Sequence, residues 1–377
     1  MPKRFAAIAT LVAACAALHG ISVAAPQPQS APAAGVLAPA DARAAALRLA
    51  ELLEADYVEP ATAARYAAML REKANRGGYD GAADRAALAQ ALTADLRAVA
   101  PDNHLRVAAT GGPGAGGPTM VVRTPGQGRP PGMPAPIEET RLLAPGIAYI
   151  RFNEFSGDPA DVAAAGRFMS ENAGARTIIF DLRTHRGGGL AEMDAMLPYL
   201  YAQPTRLLTM DTRGSVDRAN QSPFEEGRTL RRVPVQGDVV RREHVVEPHP
   251  SERRLFEAQV FVLTSPFTAS AAEHFALALR RTGRAMLVGE RTAGAGNYGG
   301  YRPVGAGLAA FIPVGMTRDP ETGARWEANG VEPHVAVPAE QALAEALVRS
   351  GLEPSEAERV AATVRPSGPM RRPRPAG

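Results

Sequence analysis

The chain has 377 residues, of which 45% are hydrophobic and 21% are charged, as is ordinary for a globular protein of one large or two smaller domains. Its formal net charge is only +3, and part of the basic excess lies in a Pro-rich C-terminal stretch. Because no stripe of Lys and Arg with interleaved aromatic residues occurs, the composition argues against a nucleic-acid partner.

The first residues are typical of an export signal. Two basic residues precede the apolar run 5–18, and small residues follow it, which predicts a signal peptide over 1–24 and a flexible N-terminus over 25–38. The run is shorter than the roughly 20 residues that a membrane span needs. We therefore expect a periplasmic or secreted protein with no integral membrane span after processing. The alternative is a lipid anchor on Cys15, whose surroundings resemble a bacterial lipoprotein box.

Residues 39–108 carry the apolar periodicity of helices and predict a helical N-terminal domain, a small bundle. Its three helices are marked by apolar stripes within Leu47–Leu53, Tyr66–Leu70 and Leu88–Leu96. A Gly/Pro-rich linker over 109–137 follows.

Between residues 138 and 352, short apolar strands alternate with helical segments, which predicts an α/β core with parallel central strands. The predicted strands are Ile147–Phe155, Thr177–Arg183, Gln259–Thr264, Ala285–Gly289 and Leu308–Val314, and the predicted helices are Asp161–Asn172, Ala191–Tyr201 and Ala269–Arg281. A Pro/Arg-rich tail over 353–377 completes the chain. The predicted fold class is an α/β protein with a mixed sheet, parallel central strands and flanking helices, preceded by a helical bundle.

Two loops each follow an apolar strand and open a helix, at the sheet edge where sites of α/β proteins form. The loop 181–189 ends in three glycines, whose backbone N–H groups suit an oxyanion hole; the alternative is a tight strand–helix turn. The loop 264–273 places Ser270 at the start of a helix, where the dipole favours developing negative charge. The alternative is a capping box that Ser270 forms with Glu273.

A nucleophilic serine needs a base. The two lysines, Lys3 and Lys73, lie in the signal peptide and the helical segment, which disfavours a Ser–Lys dyad. Of the seven histidines, four lie outside the signal and the charged stretch 244–249: His104, His185, His274 and His334. Taken alone, His104 is expected to be a capping or surface residue and His274 a surface or packing residue, so the local sequence does not select the base.

Four motifs, in this order, resemble the tail-specific (C-terminal-processing) serine peptidase family. They are Asp102–Leu105, Asp181–Gly188, the stretch 265–300 around Ser270, and Trp326–Pro333. The first motif is similar to the branch that includes interphotoreceptor retinoid-binding protein, which carries a helical N-terminal domain and lacks the usual PDZ insertion. The resemblance spans about residues 90–350 and implies a crotonase-like core.

The resemblance implies that Ser270 is the nucleophile, that His104 is the base and that Glu327 is the acid that orients it, as in the tricorn-like arrangement. Ala295 stands where the processing proteases have a catalytic lysine. Because these residues come from different segments, we expect the site in a cleft between the helical bundle and the α/β core.

The same resemblance implies an oxyanion hole made by backbone N–H groups of Gly187 or Gly188 with Ala271. It also places His185, Arg183 and Glu290 near the site, where they would support the catalytic residues or contact substrate. His185 and His334 depart from the family pattern, which often has Asn and Asp at these positions.

The sequence therefore predicts an exported serine peptidase that acts on a peptide or protein substrate. No metal, nucleotide or organic cofactor is expected, since no His-x-x-x-His or Cys-x-x-Cys spacing occurs. One alternative is a non-catalytic carrier of an apolar ligand on the same fold, because a fold does not determine a function. The other is a scaffold that acts through its Gly/Pro linker and its tail.

Overall fold

A computed structural model describes residues 37–110 and 132–371 of the chain. The predicted signal peptide with Cys15, most of the predicted linker and the last six residues lie outside the described residues. Within the described ranges, no helix combines the length and the apolar character that crossing a membrane requires.

The helices are named in chain order. They are α1 (Pro39–Asp56), α2 (Pro60–Asn75), α3 (Arg85–Val99), α4 (Pro159–Glu171), α5 (Ala191–Met196), α6 (Gly214–Arg218), α7 (Ala271–Arg281), α8 (Ala342–Arg349) and α9 (Pro354–Ala362). The starts of the first three follow ordinary rules: α1 and α2 begin with proline, and the Asp84 side chain accepts a hydrogen bond from Ala87 N at the start of α3.

The strands are likewise named in chain order. They are β1 (Arg106–Ala109), β2 (Ile137–Ala144), β3 (Ile147–Phe152), β4 (Thr177–Asp181), β5 (Thr205–Arg213), β6 (Leu230–Val233), β7 (Val239–Val246), β8 (Gln259–Thr264), β9 (Met286–Gly289), β10 (Asn297–Gly305), β11 (Leu308–Arg318) and β12 (Val335–Ala336). The strands form two sheets.

The first sheet has the order β12-β9-β8-β4-β3-β2 and is parallel except for β2. Its central strands β3 and β4 are buried on both faces, as their continuous apolar sequences require. The predicted mixed sheet with parallel central strands, preceded by helices, is thereby confirmed. β4 and β8 end side by side, so the loops that follow them lie at the same edge of the sheet.

The second sheet is antiparallel, with the order β1-β11-β5-β7-β6 and β10 also paired to β11. Of its strands, only β11 was predicted from the sequence; β1, β5, β6, β7 and β10 were not. Helices α1 to α3 pack on this sheet and share one hydrophobic core with it, in which Leu53 and Leu92 join Ala310 and Ile312. The N-terminal helices are thus held against the strands and not only against one another.

The C-terminal region differs from its predicted form. Residues 354–362, assigned to the tail, form helix α9, and Ala357 and Val364 are buried against α8 and the parallel sheet. The apolar positions 357, 360, 361 and 364 follow helical spacing, but the surrounding Arg and Pro residues masked this periodicity.

Burial of α9 can be tested with Ala357→Asp. An ionised side chain placed at this fully buried position should lower the free energy of unfolding by about 3 kcal/mol or more. The measurement is chemical denaturation, with the exposed Ser355→Asp on the same helix as the matched control. Equal denaturation midpoints for the two variants would mean that α9 does not pack on the core.

Candidate active site

Ser270 occupies the turn that joins β8 to α7. It is the N-cap of α7 and adopts φ +59° and ψ −118°, a left-handed conformation that a residue with a side chain rarely takes. Such strain persists only where surrounding contacts enforce it, and it is concentrated at functional sites. The preceding turn is held by Ser265 and Thr268, whose hydroxyls donate to the carbonyls of Arg183 and Leu182 at 2.6 and 2.8 Å.

Glu273, in the first turn of α7, holds this turn from the other side. Its fully buried carboxylate accepts hydrogen bonds from Ser270 N at 2.8 Å, Gly294 N at 2.7 Å and Ala295 N at 2.8 Å. The Thr292 hydroxyl donates to it as well, at 2.5 Å. Burial raises the pKa of Glu273, and these hydrogen bonds oppose the rise. The glutamate half of the predicted capping box is therefore present, and it also ties α7 to the loop before β10.

His104 and Ser270 meet although 166 residues separate them in the chain. The Nε2 atom of His104 lies 3.3 Å from Ser270 Oγ, and its Nδ1 atom lies 4.0 Å from Oε2 of Glu327. The imidazole is buried and stacks on Phe311 of β11, with ring centroids 5.5 Å apart. The structure thus brings together the three residues that the resemblance singled out.

Asp102 shapes the turn that carries His104. Its Oδ1 atom accepts from His104 N at 2.8 Å and Leu105 N at 2.9 Å. Its Oδ2 atom accepts from the Tyr57 hydroxyl and from Asn297 Nδ2, both at 2.9 Å. In the sequence Asp102 is only part of a motif, but in the structure two of its four hydrogen bonds hold the backbone of the turn that carries His104.

Glu327 is held by three backbone N–H groups. Oε1 accepts from Asn103 N at 2.8 Å, and Oε2 accepts from Gly296 N at 2.7 Å and Asn297 N at 2.8 Å. Burial and the nearby charge of Asp102 raise its pKa to about 7, and the backbone hydrogen bonds act in the opposite direction. The ionised fraction of Glu327 therefore changes around neutral pH.

The group Asp102, His104 and Glu327 has donor atoms within 4.8 Å of one another, a spacing that a metal ion could use. The carboxylate oxygens, however, already accept hydrogen bonds: four to Asp102 and three to Glu327. A cation would have to displace these donors. The chemistry of the donor set favours a role in orienting His104 over metal binding.

The two glycines that the resemblance assigned to the oxyanion hole differ in the hydrogen bonding of their N–H groups. The Gly187 N–H donates to His185 Nδ1 at 2.9 Å, so Gly187 is corrected from donor to support of the loop. Among the described residues, the N–H groups of Gly188 and Ala271 have no acceptor, and both residues line the pocket that contains Ser270. Gly188 and Ala271 remain as the pair suited to an oxyanion.

Position 188 requires glycine, both because of its backbone conformation and because a side chain would have no room there. It has φ +133°, and an added Cβ would lie 1.9 Å from the carbonyl oxygen of Phe155. The two backbones approach this closely because Phe155 and Gly188 form an isolated β-bridge. Gly189, one residue later, has nothing within 4 Å of the corresponding position.

His185 is a buried support and is not placed as a base. Burial, with a smaller contribution from Arg186, lowers its pKa to about 3, so the imidazole is neutral. Its ring lies against the edge of Phe155, with centroids 4.2 Å apart. No hydrogen bond joins it to Ser270, both residues being within the described ranges.

The other two residues that the resemblance placed near the site hold the chain around residue 339. Arg183 makes hydrogen bonds of 2.9 and 2.6 Å with Asp181 and donates to Ala339 O at 2.8 Å. Glu290 accepts from Ala339 N at 3.0 Å and pairs with Arg371 at 2.8 Å. Their contacts are structural, and neither makes a hydrogen bond to Ser270, His104 or Glu327.

A small pocket of about 40 Å³ opens beside Ser270. Its walls are mostly apolar and include Leu190, Met210, Phe224 and Trp326. His274 of α7 also lines it, a position that the sequence analysis assigned to surface or packing. The only sequence signal for this placement is the spacing of four residues from Ser270, which puts both on one face of α7.

Comparison with known proteins identifies the family of this chain. The profile of peptidase family S41 matches residues 146–337, and a profile for the N-terminal domain of this family in eukaryotic interphotoreceptor retinoid-binding protein matches residues 38–138. This chain belongs to peptidase family S41, as the resemblance of its motifs predicted.

Two curated relatives are carboxyl-terminal-processing enzymes. The chain is 29% identical over 168 residues to such a protease of a Picosynechococcus species, covering 44% of this chain and 34% of the relative. It is 27% identical over 189 residues to the chloroplastic carboxyl-terminal-processing peptidase 3 of Arabidopsis thaliana, covering 50% and 31%. The chain therefore spans about a third of the length of these relatives.

Two solved structures share the fold. A proposed peptidase from Parabacteroides merdae has a TM-score of 0.54 at 15% identity, covering 84% of this chain and 97% of that one. The photosystem II D1 C-terminal processing protease has a TM-score of 0.50 at 17% identity, covering 79% and 94%. At these identities the likeness concerns the fold alone.

The oxyanion assignment can be tested with Gly188→Ala. The added methyl group collides with the Phe155 carbonyl and must displace the Gly188 N–H, so kcat/KM for a peptide substrate should fall about 100-fold or more. Gly189→Ala is the matched control, and its rate should stay within about twofold, as expected for a change that meets no neighbour. Equal rates for the two variants would remove Gly188 from the oxyanion hole.

Proposed function

We propose that this chain is an exported serine peptidase that cleaves peptide bonds through Ser270, His104 and Glu327. The observation that carries the proposal is the placement of one imidazole between a hydroxyl and a carboxylate, at 3.3 and 4.0 Å. Hydrogen bonds of catalytic groups are often long in ligand-free structures, so these distances suit a site that tightens on substrate.

The chemistry follows from the two nitrogens of His104. Nε2 accepts the Ser270 proton as Oγ attacks the scissile carbonyl, and the N–H groups of Gly188 and Ala271 stabilise the oxyanion. His104 then gives the proton to the leaving amine, and water repeats the sequence on the acyl-enzyme. The ionised Glu327 stabilises the imidazolium from the Nδ1 side, while Asp102 positions the backbone of His104.

A histidine base is also favoured because lysine is missing from the site. Ala295, at the position where processing proteases carry a lysine, lines the pocket beside Ser270 and has no amine. Its backbone N–H donates to Glu273, so the loop keeps a structural function at this point.

The pocket beside Ser270 does not suit a carrier of an apolar ligand at this site. Its volume of about 40 Å³ is well below the roughly 300–1,000 Å³ of typical small-molecule sites. A carrier would also have no use for a serine in a strained conformation facing a histidine. Hydrolysis is therefore the function that the site supports better.

The proposed location and substrate rest on other observations. Export is proposed from the basic residues, the apolar run and the small residues at the start of the sequence. The names of the two processing relatives support peptide segments near the C-terminus of a polypeptide as the substrate.

The nucleophile is tested with a fluorophosphonate probe. The unaltered protein should be labelled covalently and Ser270→Ala should not, because the probe reacts only with an activated serine. Ser251→Ala, at an exposed loop position, is the control and should be labelled like the unaltered protein. Labelling of Ser270→Ala at the same rate would refute the assignment.

The acid is tested with Glu327→Gln. Burial raises the pKa of Glu327 to about 7, so the carboxyl becomes ionised as pH rises through neutrality. In its ionised form it stabilises the imidazolium of His104. We expect kcat/KM at pH 8 to fall about 100-fold or more in the variant and to depend less steeply on pH, because the titration of Glu327 is gone.

A stability measurement gives an independent check on Glu327. A raised pKa means that the folded state binds this proton more tightly than the unfolded chain, so stability from this group is lost as pH rises from about 4.5 to about 7. The free energy of unfolding of the Glu327→Gln variant, relative to that of the unaltered protein, should therefore rise across this pH interval. A constant difference between pH 5 and pH 8 would contradict the shifted pKa.

A further inference from the structure

A chain of three polar side chains runs through the core behind the pocket. Nε2 of His274 lies 2.8 Å from Nδ1 of His244, and Nε2 of His244 lies 2.9 Å from Oδ1 of Asp194. The Thr229 hydroxyl donates to the other oxygen of Asp194 at 2.7 Å. Both imidazoles are buried, with exposed fractions of 3% and 0%. They belong to different elements, His274 to α7 and His244 to β7.

The hydrogen bonds set the tautomer of each ring. The carboxylate oxygen of Asp194 accepts from a ring N–H, which puts a proton on Nε2 of His244 and makes Nδ1 the acceptor of the neutral tautomer. That acceptor requires a proton on Nε2 of His274, which leaves the lone pair of His274 on Nδ1. Burial, with the neighbouring His244, lowers the pKa of His274 well below its usual value, so the ring stays neutral.

The free lone pair belongs to a residue of the pocket. His274 lines the pocket together with Ser270, Gly188 and Ala271. Its Nδ1 atom has no partner among the described residues, whereas its Nε2 atom is engaged by His244. Most of the remaining wall is apolar, and the hydroxyl of Tyr298 is bonded to Thr212 at 2.8 Å. Thr317 and Asn297 also line the pocket, and the buried Oδ1 of Asn297 is a second acceptor without a partner among the described residues.

The pocket lies on the acyl side of the scissile bond. Its lining includes the nucleophile and both N–H groups suited to hold the carbonyl oxygen, and it does not include His104. Because His104 would protonate the leaving amine, the leaving segment must lie towards that residue. The pocket therefore receives the side chain of the residue that contributes the carbonyl.

We propose that His274 is a specificity-determining residue, whose Nδ1 accepts a hydrogen bond from a small hydroxyl-bearing side chain, threonine or serine, on the acyl side of the scissile bond. This assignment rests on the proposed peptidase function. A pocket that offers a buried acceptor rejects an isosteric apolar group, because the acceptor is then left unpaired. Threonine and valine are such a pair, equal in shape and different in one hydroxyl group.

The test compares peptides that differ only in threonine or valine at that position. Binding of peptides ending in either residue is measured by calorimetry on the Ser270→Ala protein, and cleavage is measured with fluorogenic peptides on the unaltered protein. We expect threonine to be preferred about fivefold to tenfold in both, as one hydrogen bond allows. His274→Phe should reduce both preferences to about one, and His249→Phe, whose ring stacks on Tyr199 outside the pocket, should retain them.

A measurement on the unaltered chain covers the case in which His274→Phe does not fold. The ¹⁵N resonance of His274 Nδ1 should show an unprotonated nitrogen and should move on addition of the threonine peptide but not of the valine peptide. A protonated Nδ1, or equal response to both peptides, overturns the assignment.

The outcomes separate this inference from the proposed function. A threonine preference in binding without any cleavage supports the role of His274 and refutes the peptidase. Cleavage with equal rates for threonine and valine overturns only the role of His274. Equal binding without cleavage overturns both.

Discussion

The buried carboxylate of Glu273 links the two halves of the site. It accepts from Ser270 N and so holds the strained turn of Ser270, and it accepts from Gly294 N and Ala295 N in the loop that precedes β10. The next two backbone N–H groups of that loop, from Gly296 and Asn297, hold Glu327. A carboxylate without charged partners is costly to bury, and these hydrogen bonds offset that cost.

The same segment is connected to His104 through a second buried carboxylate. Asn297 donates to Asp102, and Asp102 in turn accepts from the backbone of His104. Packing of α1 to α3 on the antiparallel sheet brings that segment to the loop, because Leu105 and Val107 join the core that the helices share with β11. His104 is thus positioned by a shared hydrophobic core and oriented by a few hydrogen bonds.

The histidines behind the pocket, like the carboxylates near Ser270, are buried and held by hydrogen bonds. His185, His244 and His274 are all buried, and each has a ring nitrogen engaged by a neighbour. Burial lowers the pKa of His185 and of His274, so both rings are neutral and weakly basic. The three buried rings thus shape the glycine loop and the pocket from within the core.

The sequence by itself determined the features that depend on local pattern: the apolar parallel strands, the helical N-terminal segment, the order of the four motifs and the shortage of lysine. Ser270, His104 and Glu327 could be named because each lies in such a motif. Strands β5 to β7, the docking of α9 and the placement of His274 beside Ser270 depend on pairing and burial between distant segments, which local periodicity does not report. The choice between Gly187 and Gly188 was likewise decided only in the folded chain, where His185 takes one N–H group and the Phe155 backbone positions the other.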